Sequence, residues 1–261
     1  MKSVLFLKSA LAIVAAAPLL LAAPAQAQSP SPAILAAVAD KTRPEKDVQQ
    51  DAIRRPAELI SFAKIKPGDV VMDVWPGGGY WSRVFSTLVG PKGKVYAYVP
   101  AEITSFKSDP LALAKAIPAE PGHGNVEVLS YPAAEQPQAD LHNKVDVVWT
   151  FENYHDLYDS FMKGADVNAF NQAVFKRLKP GGYYIIVDHA AVAGTGLKHT
   201  EDLHRIDPAT VKAEVEKAGF VLDGESTVLA IPGDDRQLKV FDPAVRGKTD
   251  RFVLRFKKPS Q

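Results

Sequence analysis

Histidines and acidic residues gather after two segments of this chain that are predicted to be β-strands. Imidazole and carboxylate groups in such positions can act as a general base, and their nitrogen and oxygen atoms can also bind a metal ion. Tight ligand spacing such as His-x-x-x-His does not occur in the sequence, so we expect acid–base chemistry and no bound metal. The candidate catalytic residues are His155, Asp156, Asn153, His189 and His204.

A glycine-rich loop is the second feature that could bind a ligand. The apolar segment Val70–Val74 contains Asp73 and leads through Trp75 and Pro76 to three glycines, Gly77–Gly79, and then to a helix-like stretch. Glycines allow left-handed backbone angles and close ligand approach, and the N-terminus of a helix offers free N–H groups. The loop is not the dinucleotide motif G-x-G-x-x-G, and it lacks the Gly-Lys-Ser/Thr of a phosphate loop. It predicts a small-molecule site at the carboxyl end of a strand.

Strands that alternate with helices must position both features. Seven strands are predicted, at Val70–Val74, Lys94–Val99, Val126–Leu129, Val145–Thr150, Tyr183–Asp188, Phe220–Leu229 and Arg251–Phe256. This alternation predicts an α/β, doubly wound, Rossmann-like parallel sheet with helices on both faces. The last two strands are joined by a loop, Pro232–Thr249, and are expected to form an antiparallel edge hairpin. Two helices, Ala33–Asp40 and Pro44–Ala63, are predicted to precede the first strand.

The first residues, Met1–Ala27, have the pattern of an export signal. Lys2 and Lys8 give a positive start, Leu11–Ala23 is apolar, and Ala25–Ala27 supplies a small-x-small cleavage site. The apolar run is too short to span a bilayer comfortably. We therefore predict a signal peptide over 1–27, a periplasmic or secreted protein, and no membrane insertion after cleavage.

The remaining residues, 28–261, are predicted to form one domain, with N-terminal helices over 33–66 and the core over 67–257. Removal of the two signal-peptide lysines would lower the formal charge from +1 to about −1. Such a balanced chain has no electrostatic pattern for nucleic acid. Cysteine is absent, so disulfides are excluded. A small molecule is the expected ligand, and no stretch of the sequence indicates a protein partner.

The glycine loop and two further segments carry a resemblance to a known family. The chain resembles class I S-adenosylmethionine-dependent methyltransferases, and more narrowly an exported bacterial group of predicted methyltransferases. The resemblance covers about Asp40–Lys257 and is anchored by Asp73–Gly79, Val145–Thr150 and Phe175–Gly182. It implies a seven-stranded sheet in the order 3-2-1-4-5-7-6, with strand 7 antiparallel. The ligand would lie above the carboxyl ends of the central strands.

The same resemblance assigns S-adenosylmethionine as the cofactor. The positions that it assigns to cofactor binding are Asp73, Trp75, Gly77, Gly78, Gly79, Glu102 and Glu135. Trp75 stands where the family has its first glycine, and Val99 and Pro132 stand where acids usually contact the ribose and the adenine. Glu102 and Glu135 are the nearest acidic replacements.

Two classes of function follow from these observations. The first is a methyltransferase that acts on an unknown small molecule, with His155 or Asp156 as a base or orienting group. The second is an exported small-molecule-binding or other acid–base protein that keeps the fold and does not use S-adenosylmethionine. The departures at Trp75, Val99 and Pro132, together with the export signal, keep the second class open.

Overall fold

A computed structural model describes residues 29–135 and 140–260. The predicted signal peptide lies outside these residues. Within them, no helix is both long enough and apolar enough to cross a membrane.

A seven-stranded mixed sheet forms the centre of the fold. Its strands are β1 Val70–Val74, β2 Lys94–Pro100, β3 Val126–Tyr131, β4 Val145–Phe151, β5 Leu178–His189, β6 Val221–Ser226 and β7 Arg251–Lys257. They lie in the order β3-β2-β1-β4-β5-β7-β6. The first five pair in parallel, and β7 is antiparallel to both β5 and β6. The predicted fold class, strand order and antiparallel edge are therefore confirmed.

The α-helices of the described residues cover both faces of this sheet. They are α1 Pro32–Val38, α2 Glu45–Val48, α3 Asp51–Arg54, α4 Pro56–Ala63, α5 Tyr80–Val89, α6 Pro110–Ala116, α7 Val167–Arg177, α8 Thr200–Leu203 and α9 Pro208–Lys217. Buried side chains of α1, α4 and α5 pack on one face, and those of α6, α7 and α9 pack on the other. Because both faces are covered, ligands can reach the parallel strands at their carboxyl edge.

The predicted single helix over Pro44–Ala63 is wrong, because the structure divides this segment into α2, α3 and α4. The last break falls at Arg55, which has a left-handed φ of 47°. Arg55 precedes Pro56, and a proline ring disfavours the helical conformation of the residue before it. The break brings Arg54, at the end of α3, beside the ring of Tyr80, with 4.4 Å from its guanidinium carbon to the ring centroid.

The loop between β6 and β7 is fixed to the body of the domain by a buried ion pair. The Arg205 guanidinium is fully buried and lies 2.8 Å from an oxygen of Asp234. Its Nε donates a hydrogen bond of 3.0 Å to the carbonyl of Leu238. These contacts hold Val240 and Phe241, which follow closely in the loop, over the carboxyl edge of β4 and β5.

Candidate functional site

The glycine loop joins β1 to α5 in the conformation that its sequence predicts. Gly77 and Gly79 have φ values of 55° and 87°, which favour glycine. A Cβ on Gly79 would lie 2.7 Å from Ile117, whereas a Cβ on Gly77 or Gly78 would meet nothing within 4 Å. Gly79 is therefore favoured by its left-handed backbone and packs closely against the Ile117 side chain. Gly77 and Gly78 leave open space above the loop.

This open space is a cleft of about 510 Å³, which we call the glycine-loop cleft. It is lined by the loop residues Trp75–Gly78, by Asp73, by Phe151–Asn153 and Asp156 from the end of β4, and by side chains of the N-terminal helices that include Arg54. Its size falls in the range of small-molecule sites, about 300–1,000 Å³. The predicted cofactor residues Asp73, Trp75, Gly77 and Gly78 and the predicted catalytic residues Asn153 and Asp156 all meet here.

Asp73 is the buried acid of this cleft. Its carboxylate accepts a hydrogen bond of 2.6 Å from the Ser82 hydroxyl, and the residue is 1% exposed. Burial raises the pKa of Asp73 to about 7, although the Ser82 hydrogen bond and the charge of Arg54 act in the opposite direction. A carboxylate held in this way would gain from a cationic group of a ligand.

Trp75 and Glu152 occupy equivalent positions at the ends of the neighbouring strands β1 and β4. Both have left-handed backbones, with φ of 63° and 61°, which are unusual for residues with large side chains. Their N–H groups donate 2.7 Å hydrogen bonds to the carbonyls of Tyr98 and Val187 on the adjacent strands. Strain of this kind persists only where the surroundings enforce it, and it is concentrated at functional sites.

A second cavity, the aromatic pocket, lies beyond Trp75 and has a volume of about 290 Å³. Trp75, Phe106, Phe161 and Phe241 form its apolar walls, and the Trp75 ring meets Phe161 edge-on at a centroid distance of 5.9 Å. Its polar lining comes from Glu152, His155, Asp156, His189 and His204. Because Trp75, Glu152 and Asp156 also line the glycine-loop cleft, the two spaces share a wall.

His155 lies at the floor of the aromatic pocket and is held by Asp188. The Asp188 carboxylate is fully buried, lies 2.7 Å from the His155 Nδ1, and accepts hydrogen bonds from the backbone N–H groups of His155 and His189. Burial lowers the pKa of His155, but the charges of Asp188 and Asp156 outweigh it and raise that pKa well above its ordinary value.

Asp156 and His204 complete a triangle of polar atoms with His155. His155 Nε2 lies 3.1 Å from an oxygen of Asp156 and 3.2 Å from Nδ1 of His204, and that nitrogen lies 3.6 Å from the same Asp156 oxygen. Asp159 follows, with an oxygen 3.7 Å from the His204 nitrogen. We call His155, Asp156, Asp159, Asp188 and His204 the acid–histidine cluster.

His189 belongs to a neighbouring arrangement. Its Nδ1 lies 2.9 Å from the Thr249 hydroxyl, and its Nε2 lies 3.9 Å from a Glu152 oxygen. Glu152 is also paired with Arg251 at 2.8 Å. Burial lowers the pKa of His189. Burial raises the pKa of Glu152, but the charges of His189 and Arg251 have the larger effect and hold that pKa below its ordinary value.

Three of the predicted cofactor residues do not line the cleft: Gly79, which faces Ile117, and two glutamates that lie elsewhere. The Glu102 carboxylate accepts a 2.9 Å hydrogen bond from the backbone N–H of Ala133, which joins the loops that follow β2 and β3. Glu135 is exposed, and its carbonyl accepts a hydrogen bond from Arg177. Neither Glu102 nor Glu135 is among the residues that line the glycine-loop cleft or the aromatic pocket.

Among the acids that the structure places in or beside these cavities, the sequence interpretation missed Glu152, Asp159 and Asp188. The signal that could have found Asp188 is its position as an acid at the end of a buried strand, directly before His189. Glu152 directly follows β4 in the same way. Asp159 gave no such signal, because it is brought to His204 only by the turn that follows His155.

Known proteins show what this chain is similar to. No family model matches it. A protein-L-isoaspartate O-methyltransferase of Ignicoccus hospitalis is 28% identical over 136 residues, which are 50% of this chain and 52% of that protein. The match thus spans about half the length of the curated relative.

Solved structures match over more of the chain. A SAM-dependent methyltransferase from Aquifex aeolicus has a TM-score of 0.59 at 21% identity, with 83% of this chain and 98% of that chain covered. The [4+2]-cyclase SpnF also has a TM-score of 0.59, at 18% identity, with 85% and 86% covered. These likenesses show that the chain has the fold of class I S-adenosylmethionine-dependent methyltransferases.

Proposed function

We propose that this protein is an S-adenosylmethionine-dependent methyltransferase that acts on a small molecule. The observation that carries the proposal is the open glycine loop, with the buried Asp73 beside it, at the carboxyl end of β1. In a sheet with this strand order, ligands bind at that edge. The similarity of the fold to methyltransferases supports the same assignment.

The residues of the cleft fit the methionine end of this cofactor. Gly77 and Gly78 leave room for a ligand against the main chain, and Asp73 offers a buried carboxylate that no lysine or arginine pairs with among the described residues. An ammonium group beside Asp73 would supply the missing charge, and hydrogen bonds to charged groups contribute about 1.5–3 kcal/mol.

The fit is weaker at the nucleoside end. Val99 is fully buried and offers no polar group, and the Glu102 carboxylate is engaged by the N–H of Ala133. Glu102 keeps acceptor lone pairs beyond that hydrogen bond, but it does not line the glycine-loop cleft, so it could bind ribose hydroxyls only after turning toward the cleft. We therefore expect the affinity for S-adenosylmethionine to depend mainly on the glycine loop and Asp73.

S-adenosylmethionine, when bound, supplies an electrophilic methyl group. The role of the protein is to hold the acceptor in the aromatic pocket, to exclude water and to receive a proton. Asp156 lines both cavities, so its carboxylate can take the proton of an acceptor at the shared wall, while its contact with His155 orients that carboxylate. Such enzymes act mainly through the placement of the two reactants.

A second candidate function is retention of the fold without methyl transfer. It is favoured by the engagement of Glu102 away from the cleft, and it agrees with the name of SpnF, which is a [4+2]-cyclase with a similar fold. Under this alternative, the acid–histidine cluster would perform other acid–base chemistry on a ligand in the aromatic pocket.

We also propose that the protein is exported and acts as a periplasmic or secreted enzyme after cleavage following Ala27. The support is the pattern of residues over 1–27. Mass spectrometry of the protein isolated from an expressing bacterium tests this proposal. A mature chain that begins at Gln28 is expected, whereas a chain that keeps Met1–Ala27 would contradict it.

Isothermal titration calorimetry with S-adenosylmethionine and S-adenosylhomocysteine tests the proposed cofactor. We expect one site of micromolar affinity that is lost in Gly78→Arg, because Gly78 has an ordinary backbone and the new side chain would fill the cleft. Gly124→Arg is the matched control, since Gly124 is also unstrained and open but lies away from the cleft. No heat at millimolar ligand would sink the proposal and favour the second candidate.

A further inference from the structure

We propose that the acid–histidine cluster is a binding site for a divalent transition-metal ion, with His155 Nε2, His204 Nδ1 and an oxygen of Asp156 as ligands. The three atoms lie within 4.8 Å of one another. The inference does not depend on methyl transfer, because it concerns what these side chains bind in the absence of any cofactor.

The spacing of the three atoms matches a coordination sphere. Their separations are 3.1, 3.2 and 3.6 Å. With metal–ligand bonds of about 2.0–2.1 Å, the ligand atoms of a tetrahedral site lie about 3.3–3.4 Å apart. An ion could therefore occupy the triangle with small movements of side chains. Two imidazole nitrogens and one carboxylate oxygen form a donor set that suits Zn²⁺ and related ions.

Asp188 orients the His155 ring so that it can bind a metal ion. Its carboxylate accepts a hydrogen bond from Nδ1 of His155 and is fixed by two backbone N–H groups, so the other ring nitrogen, Nε2, faces Asp156 and His204 and would bind the ion with loss of its proton. Metal-binding histidines generally donate their other ring nitrogen to a carboxylate in this way.

Asp159 is an independent observation that favours a cation site. It is 2% exposed, one carboxylate oxygen lies 3.7 Å from His204 Nδ1, and the other has no hydrogen-bond partner. A buried carboxylate with an unpaired oxygen is costly unless a charge is supplied. An ion bound to His204 would supply that charge.

The charge balance of the cluster supports the same conclusion. Across residues 29–135 and 140–260, no lysine or arginine forms an ion pair with Asp156, Asp159 or Asp188. Two other acids with buried side chains do have such a partner: Asp234 pairs with Arg205 and Asp47 pairs with Arg83. Nearby Glu201 adds negative charge rather than balancing it.

The site would keep an open side. His155, Asp156 and His204 line the aromatic pocket, so a molecule in that pocket can reach the ion through a hydroxyl, thiol or carboxylate group. Three protein ligands and one open position are typical of catalytic metal sites, whereas structural zinc sites have four protein ligands.

Calorimetric titration of the purified, chelator-treated protein with Zn²⁺ alone tests this site. We expect one ion per chain, with affinity weakened at least tenfold in Asp156→Asn and in His204→Gly. Glycine at 204 suits the left-handed φ of 54°, so this substitution removes the imidazole without backbone strain. The visible spectrum of bound Co²⁺ should show nitrogen and oxygen ligation and should change in both variants.

His199→Ala is the matched control, because His199 also lies 3.2 Å from an aspartate, Asp202, but outside the cluster. It should bind Zn²⁺ as the wild type does. The proposal is wrong if the wild type binds no stoichiometric ion, or if both cluster variants bind it unchanged. It is equally wrong if His199→Ala abolishes binding. If His204→Gly does not fold, the zinc affinity of Asp156→Asn decides the test. None of these outcomes depends on whether the protein binds S-adenosylmethionine.

Discussion

The glycine-loop cleft and the acid–histidine cluster lie side by side, yet they are built in opposite ways. The cleft is open because Gly77 and Gly78 have no side chains to fill it. Its buried acid, Asp73, is hydrogen-bonded to the Ser82 hydroxyl. The cluster is crowded, with His155 in contact with three other polar side chains. The cleft is thus shaped to admit a cationic ligand beside one buried carboxylate, whereas the cluster brings several ionisable side chains into direct contact.

The same substitution should therefore have opposite effects in the two regions. In the cluster, Asp188→Asn removes the buried charge that pairs with His155, and breaking a buried pair costs about 3–5 kcal/mol. We expect the free energy of unfolding at pH 7 to fall by about that amount in urea titrations. Asp202→Asn, which changes an exposed partner of His199, should leave it unchanged. An Asp188→Asn protein as stable as the wild type would contradict this account of the cluster.

In the cleft, Asp73→Asn should stabilise the protein at neutral and alkaline pH. The pKa of Asp73 is raised from 3.8 to about 7, so the folded state holds a proton that the unfolded state releases, and stability falls as pH rises from about 4 to about 7. Asparagine avoids that loss. The gain should approach about 4 kcal/mol at pH 8 and vanish near pH 4, as measured by urea unfolding at both values. If the stability difference between Asp73→Asn and the wild type does not depend on pH, the raised pKa of Asp73 is refuted.

The pH dependence of cofactor affinity should sharpen the contrast further. If an ammonium group of the ligand lies beside Asp73, binding favours the ionised carboxylate, and affinity should rise about tenfold between pH 5.5 and pH 7. Calorimetry at the two pH values measures this effect. Asp73→Asn should bind more weakly and lose the dependence. A wild-type affinity that is flat over this range would place the ligand's ammonium elsewhere.

The smallest expected effect concerns the wall between the two regions. Trp75→Gly removes a left-handed strain of about 1 kcal/mol but also removes the contact with Phe161. We therefore expect a change in stability of less than about 1 kcal/mol and little change in cofactor affinity. The selectivity among acceptors of different size should broaden, which a comparison of small and bulky acceptors would measure. A large loss of cofactor affinity would show that the indole itself holds the cofactor.

The sheet could be predicted well from the sequence because the apolar runs of the strands and the glycine and proline turns between them are local signals. It also placed the glycine loop, since the need for φ above zero at Gly77 and Gly79 follows from the tight turn out of β1. The break at Arg55 was missed because the apolar spacing of a helix continues across it, although Pro56 is a local signal for the break.

The cluster was predicted only in part, because its geometry arises from neighbouring strands and loops. His155 and His204 are 49 residues apart, and only the parallel pairing of β4 with β5 and the left-handed turn at His204 bring them together. The roles of Glu102 and Asp159 likewise depend on a hydrogen bond and on a turn that carry no local sequence signal.

A crystal structure of the protein with S-adenosylhomocysteine tests the central claim most directly. The account predicts the ligand in the glycine-loop cleft, with its amino group within hydrogen-bond distance of the Asp73 carboxylate, about 3 Å. It also predicts that the sulfur atom of the ligand faces the wall that the cleft shares with the aromatic pocket. A ligand bound elsewhere, or an empty cleft at saturating concentration, would contradict the account.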